Sequence, residues 1–86
     1  MINATNRNLD QELAKHIAKE LEAFQQAAGD KAPGDLTHDE WHIILNKMIR
    51  GFQVAAEGTY YRHRDEEEML DEALSLFAKW YHALWI

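Results

Sequence analysis

The sequence predicts an all-α fold: a compact bundle of three amphipathic helices, assembled into a homo-oligomer and forming a single helical domain over residues 1–86. Three observations carry this reading. Apolar residues recur at three- and four-residue steps in three separate segments, the spacing that puts them on one face of a helix. The segments are separated by stretches holding glycine or proline, which end helices. The last segment carries two apolar stripes where a surface helix normally carries one, more than a small core can hide.

The helices are expected over about residues 8–28, 37–57 and 65–84. The first starts at Asn8, which can cap it with Gln11 three residues on. Leu9, Leu13, Ile17, Leu21 and Phe24 then form its stripe, and Gly29 stops it. Asp30, Lys31, Ala32, Pro33, Gly34 and Asp35 make the connector. The second helix has the clearest start: Thr37 as N-cap, Glu40 completing a capping box, and Leu36 stapled to Trp41. Trp41, Ile44, Leu45, Met48, Phe52 and Ala55 share one face, widened by Ile43, Ile49 and Val54. Gly51 costs this helix about 1 kcal/mol relative to alanine, which suggests a close helix crossing at that point. The helix ends at Gly58. In the third helix Glu66, Glu67 and Glu68 complement the positive helix N-terminus. Its two stripes are Leu70, Leu74, Phe77, Tyr81 and Leu84, and Met69, Ala73, Leu76, Trp80 and Ala83.

Composition bounds the function. A chain of 86 residues buries only about 60 to 65% of its unfolded surface, so its core is thin. The absence of cysteine removes disulfides, thiolate metal sites and cysteine nucleophiles. A net charge of −6 argues against general nucleic-acid binding, which relies on basic surface. No apolar run approaches the roughly 20 residues of a membrane span, and the N-terminus lacks a secretory signal's basic start and apolar stretch. A cytoplasmic protein without membrane contact is therefore expected.

Few residues suggest chemistry. His38 and His42, four apart on a helix, can in principle reach one metal ion. No third ligand follows by spacing, and the capping box already accounts for the segment, so they are weak metal candidates. A metal-dependent hydrolase is the third functional alternative. There is no phosphate loop or nucleophile motif, and neither catalytic residues nor a cofactor are expected. Tyr60, Tyr61, Arg62, His63 and Arg64 form a local excess of positive charge in an acidic chain. Aromatic faces can stack a base while arginine holds phosphate, and Lys47 and Arg50 on the polar side of the second helix can extend such a site. The alternative is a solvated loop whose arginines pair with neighbouring acids. Trp41 reads as core; Trp80 and Trp85, with Leu76 and Met69, read as a partner interface that His82 can modulate near neutral pH.

Residues 8–24 with Leu9, Asp10, Leu13, Ala14 and Ile17; Pro33 and Gly34; the run Trp41, Ile44, Leu45, Lys47, Met48, Ile49 and Phe52; and Glu72, Ala73, Leu74, Leu76, Phe77, Ala78, Lys79, Trp80, Leu84 and Trp85 together resemble a family of small helical proteins encoded by tailed bacteriophages. The chain differs from the family pattern at Asn46, where an acid is common, and in ending soon after Trp85. The resemblance implies phage origin and expression in the host cytoplasm, without implying an activity. Phage genomes carry small non-enzymatic proteins that neutralise host defence, some of them helical oligomers that sequester nucleotide signals. By that analogy of setting, the expected function is a counter-defence sponge or inhibitor holding a nucleotide-like immune signal at a subunit interface. The alternative is an acidic inhibitor or DNA mimic that covers a basic surface on a host protein through the acids of the third helix.

Overall fold

The computed structural model describes residues 9–29, 31–57 and 64–84. They form three helices, α1 (Leu9–Ala28), α2 (His38–Glu57) and α3 (Arg64–Trp80), followed by a 3-10 turn at Tyr81–Ala83, with no strand. No helix is long and apolar enough to cross a membrane among the described residues.

The middle helix in sequence is the middle helix in space. Both α1 and α3 pack along α2, and among the described residues they do not pack on one another. The core accordingly belongs to α2. Trp41, Leu45, Met48, Ile49, Phe52 and Ala55 are buried, with Trp41 only 1% exposed. Leu36 packs against this cluster from the entry to α2, where the staple reading places it.

Local chemistry fixes the ends. The Thr37 N–H donates to Glu40 Oε1 at 2.8 Å, and the Glu40 N–H donates to Thr37 Oγ1 at 3.1 Å. This is the reciprocal capping box that the sequence predicts, satisfying two backbone donors the helix cannot. At the end of α1, Gly29 takes φ +59°, a left-handed conformation costly for a side-chain-bearing residue, and the Lys31 N–H closes onto the Ala28 carbonyl at 3.0 Å. α3 begins at Arg64 and stops at Trp80, short of the expected end near residue 84. The chain tightens there into the 3-10 turn, closed by the Leu84 N–H on the Tyr81 carbonyl at 3.1 Å.

Two core expectations need correction. The buried face of α1 consists of Ala14, Ala18, Leu21 and Ala28, while Leu9 and Leu13 are 44% and 43% exposed. Ala14 and Ala18 sit one residue, or about 100° of helical turn, past Leu13 and Ile17. The face that meets α2 is the one whose small side chains allow close approach, not the one with the largest apolar groups. On α2, Ile43 is 55% exposed and does not widen the core face. It points away from the side of α2 that holds Trp41 and Leu45, and neither α1 nor α3 covers it.

The close crossing expected at Gly51 is present on the α3 side. A Cβ there would collide with the Ala73 side chain and the Met69 carbonyl. Ala73 is itself wholly buried, so α2 and α3 meet backbone to backbone at this point.

Candidate functional site

On α3 the two apolar stripes have different fates. Ala73 is buried, and Leu76 and Trp80 pack on the core cluster, with the Trp80 ring edge-on to Trp41 at 5.6 Å. The stripe expected to meet a partner thus largely meets α2. The other stripe is only partly covered, since Leu70, Phe77 and Leu84 also pack on the core cluster. Leu70 and Phe77 are half-buried, Phe77 being edge-on to Phe52 at 5.5 Å, but Leu74 is 48% and Tyr81 60% exposed. Trp85 lies outside the described residues.

Large apolar side chains are also exposed at the start of α1, at Leu9 and Leu13. Phe24, at the far end of the Leu9, Leu13 and Ile17 stripe, packs edge-on against Trp41 at 6.5 Å, and Trp41 in turn meets Trp80. Helices α1 and α3 therefore send their aromatic flanks to the same face of α2. Leu9 and Leu13 continue the Phe24 stripe of α1, while on α3 Leu74 and Tyr81 belong to the stripe of Phe77, which Tyr81 meets edge-on at 5.8 Å, and not to that of Trp80. The sequence signal for this surface was the double stripe of α3. Which stripe would stay open depended on where α2 lies.

Of the segment singled out for ligand binding, Tyr60, Tyr61, Arg62 and His63 lie outside the described residues. Arg64 opens α3 and is exposed. Lys47 and Arg50 line one shallow depression of about 260 Å³ with Met69 and Glu72 at the seam between α2 and α3. Met69, expected at an interface, is here a half-buried wall of that depression. Lys47 Nζ lies 3.6 Å from Glu72, and both side chains are about half exposed. An ion pair this open contributes about 0–1 kcal/mol, so an incoming anion can displace the carboxylate at small cost. Two cations facing one acid can accept a single phosphate-sized group.

His38 and His42 do come together, their rings 4.3 Å apart between centroids. One ring nitrogen of each has another partner. His38 Nδ1 lies 3.4 Å from the Asp39 carboxylate, and His42 Nε2 lies 3.4 Å from the Gly29 carbonyl, which can only accept a hydrogen bond. That contact ties the start of α2 to the end of α1. Among the described residues no cluster of three or more His, Cys, Asp or Glu side chains is arranged to hold a metal ion.

Asp65, Glu68, Asp71 and Glu72 are all exposed on α3. Their spacing of three or four residues makes them one acidic stripe, on a different side of the helix from Leu74 and Tyr81. Comparison of the chain with protein-family models, with curated proteins and with solved structures finds no match.

Proposed function

We propose that this protein is a non-enzymatic binding protein that acts as a homo-oligomer, holding a small nucleotide-like anion near a subunit interface. Copies meet through the open flank of Leu9, Leu13, Leu74 and Tyr81. The ligand's phosphate is taken by Lys47 and Arg50, with Arg64 and the preceding Tyr60, Tyr61, Arg62 and His63 supplying further charge and stacking. The resemblance to small phage proteins gives the setting, a counter-defence sponge working in the host cytoplasm.

The observation that carries the reading is the set of large apolar side chains exposed on both outer helices. Four large apolar groups, each more than two-fifths exposed, are a costly surface for a solitary 86-residue chain. Native mass spectrometry of the purified protein tests it, since the method reports subunit number and any retained ligand together. A multimer that Leu74→Glu with Tyr81→Glu converts to monomer is the expected outcome; a wild-type monomer rejects the assembly. Ligand binding is tested separately with a panel of cyclic and ADP-ribose-type nucleotides. A ligand at a hundred times its Kd stabilises the fold by about 2.7 kcal/mol, an upward shift in Tm that Arg50→Ala should reduce.

The acidic stripe of Asp65, Glu68, Asp71 and Glu72 favours a second reading, an inhibitor that covers a basic surface on a host protein. Charge reversal at Asp65, Glu68 and Asp71 weakens such binding and its salt dependence while leaving a nucleotide site in place. A host partner that remains bound after the reversal rules this reading out.

A further inference from the structure

A cleft of about 310 Å³ opens at the end of the molecule where α1 gives way to its connector. Buried Trp41 forms its floor and half-buried Phe24 one wall, the two rings meeting at 85°. Three alanines make much of the remaining lining: Ala28 at the end of α1, Ala32 in the connector and Ala83 in the 3-10 turn. Their side chains stop at Cβ, so among the described residues the space where three elements converge is left unfilled. Among the described residues Lys31 is the only charged one in the lining. It is exposed and makes no ion pair among the described residues. Its backbone is pinned by the hydrogen bond from its N–H to the Ala28 carbonyl, so the side chain starts from a fixed point.

We propose that this cleft binds a small, flat, apolar molecule carrying one anionic group, its ring body against Phe24 and Trp41 and its charge at Lys31. The volume lies at the low end of ligand pockets, about 300–1,000 Å³, and suits a body of one or two rings. The lining decides the chemistry. Apolar walls disfavour a sugar or a chain of phosphates, whose polar groups would lose water without gaining partners. A single ammonium selects one negative charge, against the background of a chain with net charge −6. This site is separate from the Lys47 and Arg50 depression and does not depend on the nucleotide reading.

Naphthalene-2-sulfonate is the probe and neutral 2-naphthol its control, each titrated into the full-length ¹⁵N-labelled protein and followed through backbone amide shifts. The expected result is saturable movement of the Ala28, Ala32 and Ala83 amides. The sulfonate should bind about two- to fivefold more tightly than the naphthol, as one exposed ion pair allows. Lys31→Met should erase that preference while leaving naphthol binding intact. Ala83→Phe, checked for helicity by circular dichroism, should block both ligands. Shifts centred on Leu74 and Tyr81, no saturable shift, or an unchanged preference in Lys31→Met would each overturn the proposal.

Discussion

Along the α1–α2 seam the chain sets alanines and side-chain hydrogen bonds, whereas along the α2–α3 seam it sets a glycine against Ala73 and rings against rings. In the first seam Ala14, Ala18 and Ala28 let the helices approach. At its solvent edge the Gln25 amide donates to Asn46 Oδ1 at 2.8 Å and the Gln53 amide donates to Glu22 at 2.6 Å. In the second, Phe52 meets Phe77 and Trp41 meets Trp80, with the closest backbone contact at Gly51. The two seams specify register differently. Sliding α1 along α2 breaks discrete polar pairs, each contributing about 0.5–1.5 kcal/mol. Sliding α3 drives side chains into backbone, which is far more costly. The seam with α3 is therefore the more rigidly specified, and the seam with α1 the more adjustable.

Substitutions ranked by expected effect test that contrast. Trp41→Ala should be the most severe, losing about 3–5 kcal/mol, because this ring contacts both Phe24 and Trp80 and so serves both seams. Equilibrium urea unfolding measures it, and a loss below 1 kcal/mol would mean that Trp41 does not join them. Gly51→Ala acts on the α3 seam alone. Helix propensity favours alanine by about 1 kcal/mol, but the collision with Ala73 and Met69 should outweigh it and leave a net loss of about 1–3 kcal/mol. A stabilised Gly51→Ala protein would show that this crossing is loose. Thr37→Ala removes the cap of α2 and touches neither seam; thermal denaturation should register about 1 kcal/mol. The smallest effect belongs to the α1 seam: a double-mutant cycle on Gln25 and Asn46 should give a coupling of about 0.5–1 kcal/mol. A coupling as large as the Gly51 effect would erase the distinction between the seams.

Features that depend on adjacent residues were readable from sequence. The Thr37–Glu40 box is a four-residue pattern whose chemistry is self-contained, and it forms as expected. Gly51 was readable because a glycine in the middle of a helix carries an energetic penalty that packing can offset. Periodicity was less informative about direction. It grouped Leu9 and Leu13 with Ile17, which the structure respects, but could not say that α2 would meet the neighbouring alanines instead. The same limit applies to the candidate site. The three-residue step from Lys47 to Arg50 puts both on one side of α2, yet Glu72 reaches Lys47 from α3, a pairing that no local pattern encodes. The split between the two stripes of α3 likewise becomes legible only once α2 supplies a surface for one of them.

That α1 and α3 each pack on α2, and among the described residues not on each other, also bears on how quickly the chain reaches its fold. Among the described residues every helix–helix seam joins helices adjacent in sequence, so the loops that close the seams are short and the entropy lost in bringing the helices together is modest. Helical proteins of such low contact order fold in about microseconds to milliseconds. The arrangement that leaves Leu9, Leu13, Leu74 and Tyr81 uncovered by the chain's own described helices thus also shortens the time during which the rest of the apolar surface stands exposed.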